Sequence, residues 1–298
     1  MKTNQTQYTI SDLEKYSGIK SHTLRIWEKR YNIFTPQRLS RNRRLYTIED
    51  LKKLLNIVFL NKKGIKISKI SNFNSNDINK TVLSRLLESL HYKDEILQLA
   101  HACQNLDEKA LLTCINTLED QLASPLNSNQ LLDEIMEFFY VNWQLSIIQP
   151  THGIFLNNYL EHVFHHKLYT LKPQNHTKQT PHTFVIFSPE NEFFTMRLLH
   201  LQYLLKSMGY KTVYLGHSVS TESLKCVSQD KNLLNFVVYS TNQGYTKSFW
   251  KMMAEIHSIS SVNKHLLSCI KPNITEEEQS PLFFGYNSHI DFIHSFNN

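Results

Sequence analysis

Glycine is scarce in this chain, at seven of 298 residues, where ordinary usage of roughly 7% would supply about twenty. So few glycines argue against a set of glycine-lined loops cradling phosphates or a dinucleotide. Cysteine is also sparse. Cys103, Cys114, Cys226 and Cys269 are the only four, and none are in CxxC spacing, which excludes a zinc ribbon or a disulfide scaffold and predicts free or buried thiols in a reducing compartment. No run of 18 apolar residues occurs, and Met1 to Gln7 is polar. The expectation is therefore a cytoplasmic chain with no secretion signal and no membrane span. No nucleophile–base pairing can be picked out either, so the reading is not an enzyme.

What is present is charge, unevenly spread. Residues 1–70 hold 16 Lys and Arg against 5 Asp and Glu, a net +11, and the other 228 residues hold 16 and 21, a net −5, which together give the chain its +6. The first part is built to meet a polyanion and the rest is not.

The basic part has a pattern as well as a charge. Ser21-His22-Thr23-Leu24-Arg25-Ile26-Trp27-Glu28-Lys29-Arg30-Tyr31 reads as a helix capped by Ser21. Leu24, Trp27 and Tyr31 fall on one face, while Arg25 and Lys29 lie one turn apart elsewhere. Upstream, Ser11-Asp12-Leu13-Glu14 has capping-box spacing and opens another helix, with Gly18 at the tight turn between them. Downstream, Pro36 to Tyr46 carries Arg38, Arg41, Arg43 and Arg44, with Asn42 suited to a turn. This predicts a basic β-ribbon over phosphates. Thr47-Ile48-Glu49-Asp50 starts a third helix. The expected DNA-facing residues are His22, Thr23, Arg25, Lys29, Arg38, Arg41, Arg43, Arg44 and Tyr46, and the expected core is Leu13, Leu24, Trp27, Tyr31 and Leu51. Double-stranded DNA is the predicted partner.

These motifs resemble the DNA-binding domain of the MerR family of bacterial transcription regulators. The matching residues are Ile10, Gly18, Thr23-Leu24-Arg25-Ile26-Trp27-Glu28, Pro36-Gln37-Arg38 and Arg44-Leu45-Tyr46. Ile26 replaces one of the family's aromatics and is expected to keep an apolar core contact. Asn42 replaces the usual wing glycine and tolerates positive φ. The resemblance implies a DNA-binding, homo-oligomeric regulator on paired half-sites.

After Ile70 comes Asn72 to Asn79, polar and asparagine-rich, read as a linker or loop. Sustained heptads are absent. Medium helices are predicted at about 80–91, 93–105, 107–123, 130–147 and 154–171, with Asp107 as an N-cap. Together they form a helical bundle. A polar linker, Lys172 to Pro181, precedes alternating strands and helices: strands at 183–188, 212–216, 236–240, 265–270 and 282–284, helices at 192–208, 222–229, 247–258 and 288–296. That order gives a parallel, Rossmann-like sheet with any ligand at the strand C-terminal ends, near Ser188, Gly216 and Ser240. The fold class is therefore mixed: an all-α winged helix-turn-helix domain (residues 1–73), a helical bundle (74–173) and an α/β Rossmann-like domain (182–298).

That arrangement resembles the CarH/LitR branch of the MerR family, whose members respond to light or cobalamin. Pro189-Glu190-Asn191-Glu192, Leu204 to Tyr210 and Val213-Tyr214-Leu215-Gly216 look like the first loop, first helix and second strand of a cobalamin-binding domain. By the same resemblance Trp143 caps the cofactor's upper face. The family's Glu-x-His-x-x-Gly appears as Glu192-Phe193-Phe194-Thr195-Met196-Arg197. Phe194 has no lone pair with which to ligate cobalt, and Arg197 would fill the channel for the nucleotide tail. The family's upper-face elements are also not recognisable where His152-Gly153-Ile154 sit. The expectation is a cobalamin-binding-like domain without its axial ligand and without tight cobalamin binding. Binding with the cofactor's own base kept on cobalt stays open, as does an unknown small-molecule ligand. His162 and His166, at i, i+4, have chelating spacing. With His165 beside them and no interleaved carboxylate, they read as a solvated face, so no metal is expected.

Overall fold

The structure is a computed structural model. It describes residues 7–34, 36–38, 44–171, 183–189, 195–220, 222–224, 234–240, 252, 254–255, 264–268, 283–286, 292 and 295. By contacts the chain divides into two compact units, Met1–Leu122 with Gln130–Phe155, and Ala123–Asn129 with Leu156–Asn298.

In the first unit, helix α1 (Ile10–Ser17) is capped two residues before the expected Ser11. Thr9 is the N-cap, in a capping box with Asp12. The reason lies outside the local sequence. Tyr8 is bridged to Tyr46, with backbone hydrogen bonds of 2.8 and 2.9 Å, which holds the chain extended up to Thr9 and starts the helix there. Gly18 ends α1 at φ 71°, a conformation that favours glycine. Helix α2 (Ser21–Tyr31) follows. Strand β1 (Gln37–Arg38) pairs antiparallel with β2 (Arg44–Leu45). This is the expected ribbon, and its tip, with Arg41, Asn42 and Arg43, lies outside the described residues.

Helix α3 (Ile48–Lys62) opens on the expected Thr47–Asp50 capping box and buries Leu51, Leu54, Leu55 and Val58. Helix α4 (Ile67–Ile70) is one short turn. The asparagine-rich segment is not a loop throughout. Asn74 accepts from the Asp77 amide and caps α5 (Ser75–Ser89), because an asparagine side chain satisfies the free amides of a helix start.

Helix α6 is Lys93–Gln104 and α7 is Glu108–Thr117, with Asp107 as its N-cap. The single helix expected over 107–123 breaks at Leu118, and α8 (Glu119–Ala123) continues separately. Helix α9 (Pro125–Gln144) begins five residues before its expected start, and α10 is Pro150–Thr170. Within the first unit, the Glu134 carboxylate on α9 accepts the backbone N–H groups of His91 and Tyr92 at 2.8 and 2.9 Å. It meets the start of α6, where a negative charge suits the helix dipole. Burial holds the Cys103 thiol up at about 12, with Cys114 adding to the effect, so Cys103 packs as an apolar group.

In the second unit, β3 (Thr183–Pro189), β4 (Lys211–Val219), β5 (Leu234–Ser240), β6 (Lys264–Ser268) and β7 (Phe283–Tyr286) form one sheet in the order β4-β3-β5-β6-β7. Every pair is parallel. Phe184 to Phe187 on β3 are all fully buried, the continuous apolar run expected of a parallel strand covered on both faces. Helix α11 (Thr195–Ser207) lies between β3 and β4 in the chain, and all of its residues from Met196 to Leu205 are buried. The expected linker at 172–181 lies outside the described residues. So do most of the expected helices at 222–229, 247–258 and 288–296, of which 222–224, 252, 254–255 and 292 are helical.

The Thr47 cap yields a stability prediction. Thr47→Ala should lower the stability of the first unit by about 1 kcal/mol. The exposed mid-helix Thr113→Ala should be neutral or stabilising. Urea unfolding followed by circular dichroism measures both, and equal effects would remove the cap from the account.

Candidate nucleic-acid interface and the sheet mouth

Helix α2 is positioned from both ends. Its expected cap, Ser21, is instead the first helical residue, after Lys20, which makes no side-chain cap. The Ser21 amide and hydroxyl both donate to Oε2 of Glu14 on α1, the amide at 3.0 Å. Lys20 Nζ stands 3.5 Å from the other carboxylate oxygen. The Ser21 hydrogen bonds hold Glu14 below the usual carboxylate range. A carboxylate from the neighbouring helix thus does the work of a cap, and its charge suits the helix N-terminus. At the other end Asn32 takes φ 48°, a left-handed conformation that asparagine tolerates.

Leu24 and Trp27 are buried, as expected, with Leu13 and Leu51. Tyr31 is half-buried, with the Arg30 guanidinium 5.4 Å from its ring centre. The opposite face carries His22, Arg25, Ile26, Lys29 and Arg30, all exposed, while Thr23 is half-buried. Ile26 does not make the expected core contact. It is 43% exposed, because the helical period turns position 26 away from Leu24 and Trp27.

The wing is tied to α2 by one carboxylate. Arg44 Nε donates to Glu28 Oε1 at 3.0 Å, and the Tyr46 hydroxyl donates to Glu28 Oε2 at 3.1 Å. Positions 38 and 44, both arginine, oppose each other in the β1–β2 register. Glu28 supplies compensating charge to Arg44. Tyr46 is 1% exposed and meets Phe34 edge to face at 5.9 Å. Burial first, and Glu28 second, push its hydroxyl well above the ordinary tyrosine value, so it remains a donor. Tyr46, expected to face DNA, therefore lies in the core as a strut. Glu28 was not among the expected site residues, although it closes the Thr23-Leu24-Arg25-Ile26-Trp27-Glu28 motif.

The sheet order has the 2-1-3-4-5 form when counted from β3, which puts the topological switch point between β3 and β5. Ser188 at the end of β3 is fully buried, and Ser240 is the last residue of β5. Gly216 takes φ 81° where the β3–β4 register shifts between Ile186 and Phe187. Glu192 and Phe194 lie outside the described residues. Next to them, Thr195 at the start of α11 donates its hydroxyl to the Glu161 carboxylate, which also accepts from Asn157 Nδ2 at 2.6 Å. Burial, with Glu161 as the second cause, raises the Tyr214 hydroxyl to about 12.

Arg197 is buried on α11. His200 is fully buried on the same helix, 3.0 Å from the Ser128 hydroxyl. Burial, then Arg197, pushes its imidazole well below the usual value and so favours the neutral form. His162, His165 and His166 are exposed. Among the described residues, no three or more His, Cys, Asp or Glu are grouped to hold a metal ion, and no helix is long and apolar enough to cross a membrane.

Trp143 belongs to the first unit. Its ring stacks on Tyr140 at 5.8 Å and 27°. Lys52 Nζ, from α3, stands 5.1 Å from its centre and donates to Ser146 Oγ at 2.9 Å.

Comparison with known proteins identifies residues 8–76 as matching the MerR HTH family regulatory protein domain. No curated protein matches the sequence as a relative. Among solved structures, the Methanosarcina barkeri monomethylamine corrinoid protein aligns over 69% of this chain and 98% of its own, at 12% identity and TM-score 0.52. That likeness shows a shared fold. A cobalamin-binding protein from Desulfitobacterium hafniense DCB-2 aligns over 68% of this chain and 97% of its own, at 11% identity and TM-score 0.32. The chain thus joins a winged helix-turn-helix domain to a helical bundle and a Rossmann-like sheet.

Glu28→Ala strands a buried hydroxyl and should cost about 2–3 kcal/mol. In a Tyr46→Phe background, with no hydroxyl left to strand, the same substitution should cost about 1–2 kcal/mol less. Urea unfolding of the four proteins reads the coupling, and equal costs in the two backgrounds would contradict the strut.

Proposed function

We propose that this chain, which carries a MerR-family helix-turn-helix domain over residues 8–76, is a sequence-specific regulator of transcription that works on double-stranded DNA in the cytoplasm. The observation that carries the proposal is the exposed face of α2. His22, Arg25 and Lys29 share it, beside a basic ribbon fastened to the same helix through Glu28. Helix α2 enters the major groove, and Arg25 and Lys29 reach base edges or flanking phosphates. Thr23 supports them from the rim. Arg38, Arg41, Arg43 and the free edge of Arg44 lie along the backbone. Self-association through the remaining two thirds of the chain brings two such units to paired half-sites.

The remainder has the fold of a corrinoid carrier. We infer that it has lost cobalt ligation, with Phe194 at the ligand position. The burial of Arg197 supports this, since a fixed guanidinium side chain takes up space that the resemblance assigns to the nucleotide tail. So does the Thr195–Glu161 hydrogen bond, which engages the first residue of α11 with a carboxylate on α10. The Trp143 indole already has partners within the first unit, the Lys52 ammonium and the Tyr140 ring. The Lys52–Trp143 and Lys52–Ser146 contacts join α3 to the end of α9 and the turn after it, which gives a route by which α9 biases the DNA-reading helices.

The competing reading is a cobalamin-responsive sensor, favoured by the fold likeness and by Ser188 and Ser240 near the ends of the two strands that flank the switch point, whereas Gly216, expected at a strand end, lies within β4. Adding adenosylcobalamin or hydroxocobalamin to the purified protein separates the two. We expect no spectral shift of the cofactor and unchanged DNA binding. A shift with altered DNA affinity would establish the sensor instead.

The DNA reading is tested by anisotropy titration against a labelled duplex across a salt series. Lys29→Ala should reduce the slope of log K against log salt by about 0.9 for each bound unit, about 1.8 for the two on paired half-sites. An unchanged slope would remove Lys29 from the phosphate contacts.

A further inference from the structure

We propose that Ile26 reads thymine, by packing its side chain against the C5-methyl group in the major groove. The inference rests on the DNA-binding reading above and names a specificity determinant within it.

At roughly 100° per residue, positions 22, 25, 26, 29 and 30 fill one sector of α2, opposite Leu24, Trp27 and Tyr31. Four of the five side chains are polar or cationic, and all five are exposed. Ile26 lies inside this sector, flanked by Arg25 and Lys29 on one side and Arg30 on the other. It is 43% exposed. Single exposed apolar residues are common on protein surfaces. This one stands in the middle of the face that the proposed docking buries, where a group without hydrogen-bonding capacity must still meet something.

The chemistry of the groove narrows what that can be. Phosphates and the N7, O6, N4, N6 and O4 edge groups all ask for a hydrogen-bonding or charged partner. Burying an isoleucine against them would desolvate them without return. The thymine methyl is the one apolar feature of the major-groove edge. The flanking cations assist, because Arg25 and Lys29 on one side and Arg30 on the other can hold phosphates or guanine edges and keep the backbone of α2 close enough for van der Waals contact. The branched side chain is also stiff at χ1, so little side-chain freedom is lost when it docks.

The test uses the full chain and a duplex recovered by it from a randomised pool. Each thymine of that duplex is replaced in turn by uracil, which removes only the methyl group. For the unaltered protein, one replacement in each half-site should weaken binding about fourfold, the factor for burying one methyl group. Ile26→Ala should weaken binding to the thymine duplex by a similar or larger factor and bind the uracil version of that position equally well. Ile26→Val should retain most of the discrimination. Both substitutions are on an exposed helix face, and circular dichroism confirms that the helices persist. If the unaltered protein binds the selected duplex but tolerates every thymine-to-uracil change, or if Ile26→Ala discriminates as the parent does, the proposal is overturned while DNA binding stands. If no duplex is recovered from the pool at low salt, the DNA-binding reading fails and this proposal falls with it.

Discussion

A single carboxylate organises the basic end of this chain. Glu28 projects from the helix expected to enter DNA, and its two oxygens are taken by Arg44 and by the buried hydroxyl of Tyr46. Without it, α2 and the two-residue ladder of β1 and β2 would be joined only through loop and core. A ladder that short has little stability of its own. With it, reading helix and wing are referred to one point, and an arginine-rich ribbon is fastened down. The same logic recurs at Glu14, which meets the start of α2. In both places an acidic side chain in a strongly cationic domain serves as an internal fastener, which leaves the outward charges for a partner.

Much of this was legible in the sequence because it is local. The Thr47–Asp50 capping box, the turn at Gly18 and the apolar stripe of Leu24 and Trp27 each depend on residues within about one or two helical turns. The errors share a cause. Ser11 and Ser21 both have the composition of a cap, but Tyr8 pairs with Tyr46 across the domain and fixes Thr9 as the cap. Glu14, seven residues away, takes over at Ser21. Tyr46 sits in a basic run and reads as a DNA contact until its burial against Phe34 is seen. Ile26 is different. The helical period alone turns it outward, against the core contact expected there.

The alternating strands and helices of the second unit were readable from their apolar runs. The order β4-β3-β5-β6-β7 was not, since strand adjacency is decided by long-range packing. That order puts the switch point at β3 and β5. In the same unit, side chains are already engaged with one another, Glu161 with Thr195 and His200 with Ser128. The net negative charge of residues 71–298 and the cationic balance of the first seventy residues divide the labour electrostatically: one part attracts a polyanion and the other does not compete for it.

Chemical footprinting bears most directly on the claim that α2 and its wing dock as one unit in a major groove. With a duplex recovered from a random pool, the account predicts that guanine N7 positions within the site are shielded from dimethyl sulfate by the bound chain. Sugar protection from hydroxyl radicals should flank them where the wing lies. A duplex that reacts uniformly at every position, with the protein in excess and at low salt, would contradict it.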